Sequence, residues 1–86
     1  MSSEVFSSVI QRLHFYLPKG ISPTRIVADA DLQNDLGFDS LGLATIATDL
    51  HSTLEFDLQY FAENLGEIRL VSDFVRVVEA AMVSKK

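Results

Sequence analysis

Apolar positions along the chain fall into three long stretches with helical spacing and one shorter one, separated by polar segments. Val5, Phe6, Val9, Ile10, Leu13 and Leu17 recur every three or four residues, the signature of a helix with one buried face, and predict a first helix over residues 3–17. Phe15 and Tyr16 widen that face, and Pro18-Lys19-Gly20 ends it. Ser22-Pro23 reads as a cap followed by proline at the first helical position, enough for a single turn through Ile26 and Val27. Residues 29–39 form a long polar loop pinned to the core by Leu32 and Leu36. A second helix is predicted over 40–54. At about 100° per residue, Leu43, Ile46, Ala47 and Leu54 lie within roughly 60° of Leu50, whereas Leu41 lies about 180° away, near Thr45, Thr48 and Ser52. After a short link, residues 58–65 make a short third helix closed by Gly66. Ser72 caps the last helix, which turns Phe74, Val75, Val78, Ala81 and Met82 inward, with Val71 packing just ahead of it and residues 83–86 fraying. The pattern predicts an all-α four-helix bundle with a long first connection and a short third helix, one domain over residues 1–86, without repeats or linkers.

Composition agrees with that size. The 86 residues are 48% hydrophobic, enough for one small core without disulfides or metal. Cysteine is absent, which removes disulfide frameworks, Cys-based zinc sites and Cys nucleophiles. No apolar run approaches the ~20 residues of a membrane span, and the N-terminus lacks a signal-peptide core, so a cytoplasmic protein is expected; a monomer is a separate expectation. Charge is segregated. The seven basic residues (Arg12, Lys19, Arg25, Arg69, Arg76, Lys85, Lys86) lie toward the ends, while residues 26–68 hold nine acids and no Lys or Arg. With a net charge of −5, the middle of the chain should attract basic partners and repel nucleic acid.

Catalysis has no support. Ser40 and His51 share a helix eleven residues apart, about 16 Å along its axis, far outside hydrogen-bond reach. His14 stands alone at a helix edge, and two histidines with scattered carboxylates give no metal-ligand spacing. Asp29-x-Asp31 lacks the glycine and terminal glutamate of a calcium loop. No catalytic or metal-binding residue is assigned.

The chemistry concentrates instead in Asp35-Leu36-Gly37-Phe38-Asp39-Ser40-Leu41. Gly37 permits a turn that other residues resist. Ser40 falls at a helix N-terminus, whose unpaired N–H groups and partial positive charge suit a phosphate ester. Beside it, Leu41 is displayed outward. As a bland alternative, Asp39 or Ser40 simply caps a helix. The seven residues resemble the phosphopantetheine attachment motif of acyl carrier proteins, and the likeness in length and helix placement extends over nearly the whole chain, including Leu70-Val71-Ser72-Asp73-Phe74 at the entry to the last helix. The resemblance implies 4′-phosphopantetheine, derived from coenzyme A, on Ser40, with Gly37, Asp39 and Leu41 around it. It also implies a phosphopantetheinyl transferase and acyl-transferring and condensing enzymes as partners. Asp35, Asp39, Leu41, Thr45 and Thr48 are the candidate partner surface. Leu43, Ile46, Ala47, Leu50, Phe56, Leu58 and Phe74 are the candidate lining for an acyl chain.

The sequence departs from the primary fatty-acid carriers. They usually place an acid after Ser-Leu and several glutamates along the outward face of the second helix; here Gly42 follows Leu41, and the face carries Thr45, Thr48 and Ser52. The usual proline after the second helix is Gln59. These departures favour a carrier for a specialised lipid or polyketide pathway. Two alternatives stand beside it: an aminoacyl or peptidyl carrier, whose usual Gly-Gly-x-Ser is absent, and an unmodified interaction module of the same fold.

Overall fold

The computed structural model describes residues 3–84. Four α-helices account for most of them: α1 (Ser3–Tyr16), α2 (Ser40–His51), α3 (Leu58–Glu63) and α4 (Val71–Ser84), with short 3-10 turns at Pro23–Arg25 and Leu65–Glu67. Among the described residues there is no strand, only an isolated antiparallel bridge between Asp31 and Leu70. The all-α, four-helix architecture with a long first connection and a short third helix is therefore the one that the hydrophobic pattern predicts.

Helix α1 packs on α2 and α4, and α3 packs on the same two. Each helix contributes one apolar stripe to a core that contains no buried polar or charged residue among those described. Val9 and Leu13 of α1, Ile46 and Leu50 of α2, and Val71, Val75 and Val78 of α4 are essentially sealed from solvent. Phe56, Phe61 and Phe74 stack through the middle, with ring centroids 6.3 Å and 5.1 Å apart along the chain of contacts. One polar clamp ties α1 to α2 at the rim. The Tyr16 hydroxyl donates to Asp49 at 2.6 Å, Arg12 Nε lies 3.2 Å from the other Asp49 oxygen, and Arg12 Nη2 donates to Thr53 at 3.3 Å. The hydrogen bond to Asp49 raises the Tyr16 phenol above its ordinary value.

The long connection has little regular structure, yet its backbone is stitched to the start of α4. Leu32 N–H donates to Arg69 C=O (2.8 Å), Val71 N–H to Ala30 C=O (3.0 Å) and Ser72 N–H to Ala28 C=O (3.0 Å). Leu32, Leu36 and Phe38 then point inward as anchors. This satisfies backbone groups that a buried loop would otherwise leave orphaned.

Several local expectations need correction. Phe15 is 77% exposed and does not widen the α1 face; it packs edge-on against Tyr16 instead. Helix α2 ends at His51, not at residue 54, although Leu54 is still buried and its N–H reaches back to Leu50 C=O at 2.7 Å. Helix α3 closes at Glu63 through Asn64, whose side chain donates to Tyr60 C=O at 2.8 Å; Gly66 lies past the end, inside the following 3-10 turn. Ser72 does not cap α4. Asp73 reaches back to accept the Leu70 and Arg69 N–H groups at 2.9 Å and 3.1 Å, one half of a capping box. Met82 is 36% exposed and Val83 is exposed within α4, which continues to Ser84; the remainder of the predicted frayed tail, Lys85 and Lys86, lies outside the described residues.

Candidate functional site

The site is built where the long connection turns into α2. Asp31 organises the approach: its Oδ1 accepts the Gln33 and Asn34 N–H groups at 2.9 Å and 2.8 Å, and its Oδ2 accepts the Asn34 side-chain amide at 3.2 Å. These donors, the Asn34 N–H first, hold its carboxyl below the ordinary 3.8 against the opposing effect of burial, with help from Arg69. Asp35 folds back to accept the Asp31 N–H at 2.8 Å. The chain then reverses at Gly37, where φ is +78° and Pro18 Cγ would lie 3.4 Å from any Cβ. An L side chain there would be strained.

Asp39 is the α2 N-cap. Its backbone is extended (φ −101°, ψ −177°), and its Oδ1 accepts the Gly42 N–H at 2.7 Å. Gly42 has a packing reason: a Cβ there would come within 3.3 Å of the capping Asp39 oxygen. Ser40 follows as the first residue of the helix, exposed, with its hydroxyl making no hydrogen bond among the described residues. The Ser40 and Leu41 N–H groups are likewise without a partner there. A free hydroxyl flanked by unpaired N–H groups fits a phosphodiester.

Leu41 is 76% exposed, on the side opposite the buried Leu43, Ile46, Ala47 and Leu50, as the projection places it. Thr45 and Thr48 are exposed on the same side. Their hydroxyls donate back to Leu41 C=O (3.0 Å) and Ala44 C=O (2.9 Å). With their hydroxyl hydrogens engaged on the helix backbone, these two threonines offer acceptor oxygens but no free hydroxyl donor and no charge.

Two hollows adjoin Ser40 and α2. A cavity of about 60 Å³ lies beside Ser40, walled by Leu32, Phe38, Leu43, Leu65 and Ile68 and rimmed by Gln33, Asp39 and Arg69. An apolar groove of about 350 Å³ runs between α2 and α3, lined by Ala44, Ala47, Thr48, Leu58, Gln59, Phe61, Ala62 and Leu65. Of the residues expected to line an acyl chain, Ala47 and Leu58 border the groove and Leu43 the cavity; Ile46, Leu50, Phe56 and Phe74 sit deeper, in the packed core. The groove is opened by small residues, of which the sequence reading named Ala47 but passed over Ala44 and Ala62.

Electrostatically the acidic middle of the chain is less bare than its sequence. Arg25 lies 3.7 Å from Asp35, Arg69 lies 3.8 Å from Asp31, and Arg12 pairs with Asp49, so the fold brings distant cations back to three of those acids. Asp29 is exposed. Arg69 at the rim of the Ser40 cavity had no local signal, because its position follows from the non-local pairing of Asp31 with Leu70.

The family model for the phosphopantetheine attachment site matches residues 20–74, a span that includes the loop, Ser40 and the groove. An acyl carrier protein from Coprothermobacter proteolyticus is 31% identical over 65 residues, covering 76% of this chain and 77% of that protein. No solved structure matches the chain at the same stringency. Motif, fold and both matches converge: the chain belongs to the acyl carrier protein family, whose members bear 4′-phosphopantetheine and carry acyl groups rather than catalyse.

Proposed function

We propose that Ser40 is the attachment point of 4′-phosphopantetheine and that residues 1–86 act as one monomeric, cytoplasmic carrier domain for acyl intermediates of a specialised lipid or polyketide pathway. The observation that carries this reading is the free, exposed Ser40 hydroxyl at the first turn of α2, beside an outward Leu41. When bound, the group supplies a thiol on a flexible arm, where the acyl chain is held as a thioester. The protein's own residues position and present that arm. Asp39 fixes the start of the helix through Gly42 N–H, Gly37 turns the chain so that Ser40 faces outward, and Leu41 offers apolar area to an incoming enzyme.

The phosphopantetheinyl transferase and the acyl-transferring and condensing enzymes dock on Leu41 and the loop acids Asp35 and Asp39, with Thr45 and Thr48 at the edge. The specialised assignment is supported by this helix face: α2 has one acid, Asp49, and it is engaged by Arg12 and Tyr16 on the side facing α1. The acyl chain shelters against α2 and α3, entering past Ala47 and Leu58. Acyl cargo is preferred to aminoacyl cargo because Gly37-Phe38-Asp39-Ser40 lacks the Gly-Gly-x-Ser pattern.

Treatment with coenzyme A and a broad-specificity transferase, followed by intact-protein mass spectrometry and peptide mapping, tests the attachment. One arm on Ser40 and none on Ser40→Ala, with the variant folded, is the expected result. Modification elsewhere, or none, rules the reading out. The thioester found on protein isolated from its native host then decides between acyl and aminoacyl cargo.

A further inference from the structure

A phosphodiester on Ser40 would stand in difficult electrostatic surroundings. Asp39 precedes it directly, and that carboxylate already occupies the Gly42 N–H, one of the donors an anion at the helix start would use. Asp31 and Asp35 lie in the adjoining loop. The helix N-terminus contributes only about half an elementary charge. A full positive charge near Ser40 would offset this, and one cationic residue shares its cavity. Of the described cations, only Arg69 lines the cavity that Ser40 lines; Arg25 borders a different hollow with Asp35, Arg12 is held by Asp49, Arg76 by Asp73, and Lys19 is exposed in the turn after α1, outside the cavity lining.

The backbone of Arg69 is fixed from two sides. Its carbonyl accepts the Leu32 N–H at 2.8 Å, and its own N–H donates to Asp73 at 3.1 Å. Its guanidinium, in contrast, is barely used. The side chain is 75% exposed, and its one ion pair among the described residues, with Asp31, spans 3.8 Å, beyond hydrogen-bond length. Asp31 meanwhile satisfies its oxygens with the three donors of its own turn. A guanidinium presents five N–H donors in a planar fork that matches phosphate oxygens. Fixed backbone, unspent donors and a shared cavity with Ser40 describe a residue waiting for an anion.

We infer that Arg69 binds the phosphodiester of the Ser40-linked arm and so orients the start of the arm over the cavity walled by Leu65 and Ile68. It is a positioning residue, and the inference rests on the Ser40 reading above. An exposed guanidinium–phosphate contact is screened by salt, so its signature is ionic-strength dependent.

The test uses fully modified wild-type protein, Arg69→Gln, Arg69→Lys and, as a control for general salt effects, Arg76→Gln. Mass spectrometry first verifies one arm on Ser40 in each, and circular dichroism verifies the fold. The phosphorus resonance of the arm should move between low and high salt in wild type and in Arg76→Gln. In Arg69→Gln it should sit at the high-salt position throughout, and Arg69→Lys should recover less than half of the movement. The Arg69 Nε–H cross-peak of wild type should also shift when the arm is added. Identical phosphorus positions in wild type and Arg69→Gln at both salts, or an Arg69 cross-peak indifferent to modification, overturn the inference while leaving Ser40 as the attachment point. A wild-type chain that takes no arm on Ser40 overturns both.

Discussion

Asp39 combines a structural and an electrostatic role in one carboxylate, and substitutions separate them. Asp39→Ala removes the oxygen that accepts the Gly42 N–H at 2.7 Å and should cost about 1 kcal/mol in urea denaturation, the usual loss for an N-cap. Asp39→Asn keeps a capping oxygen and should stay within a few tenths of wild type, because the two side chains cap about equally well. Both variants lose the charge next to Ser40, so both should show a flatter salt dependence of the transferase rate. A salt slope that survives in Asp39→Asn would remove Asp39 from the docking surface. Gly37 offers a second measurement of the same turn. At φ +78° an alanine should cost roughly 1–2 kcal/mol, read as a lower denaturation midpoint, and an unchanged midpoint would show that the turn relaxes.

At the scale of elements, α2 carries recognition on one face and core on the other. Leu41→Ala should lower transfer about tenfold through lost apolar area, on the order of 1.4 kcal/mol, with the salt slope unchanged because no charge is removed. Thr45→Lys and Thr48→Lys should slow transfer less than Asp35→Lys and Asp39→Lys; if the threonine variants prove the more damaging pair, the docking surface is the helix face and not the loop acids. The junction of the loop with α4 makes a different prediction. Asp31 and Asp73 both have carboxyls held below the ordinary 3.8, mainly by the backbone N–H groups of Asn34 and Leu70 respectively. A carboxyl depressed in the folded state stabilises above its unfolded value, and that contribution fades as pH falls from about that value through the folded one. Stability should therefore decline below pH ~4, and Asp31→Asn with Asp73→Asn should flatten the decline in acid-titrated melting curves. The helices were legible in the sequence because Val9, Leu13, Ile46, Leu50, Val75 and Val78 repeat at helical spacing. The outward Leu41 followed from the same projection. What escaped was non-local or made of small groups: the Asp31–Leu70 bridge that carries Arg69 to the site, the reach of Asp73 in place of a Ser72 cap, and the share of the groove left by Ala44 and Ala62. Local periodicity contains no information about which distant backbone a loop will pair with.

For the molecule as a whole, the question is whether cargo remains in water or enters the bundle. The core is wholly apolar, with Phe56, Phe61 and Phe74 in mutual contact at its centre, and tightly packed interiors resist new volume. The α2–α3 groove is different, since its floor is apolar and it already offers about 350 Å³ without displacing those rings. Each methylene of an acyl chain laid there contributes up to about 0.8 kcal/mol when removed from water, less whatever ordering the chain costs. A medium-chain acyl form should accordingly melt above the form with the bare arm, and the increment should grow with chain length until the groove is filled. Ala62 is exposed at the groove edge on α3, so Ala62→Phe can occupy the space without entering the core. That variant should fold, accept the arm and lose the dependence of melting temperature on chain length. If Ala62→Phe keeps the full increment while wild type shows it, the chain goes instead to the deeper residues around Ile46 and Leu50. If wild type itself melts at one temperature for every chain length, the cargo lies outside the protein.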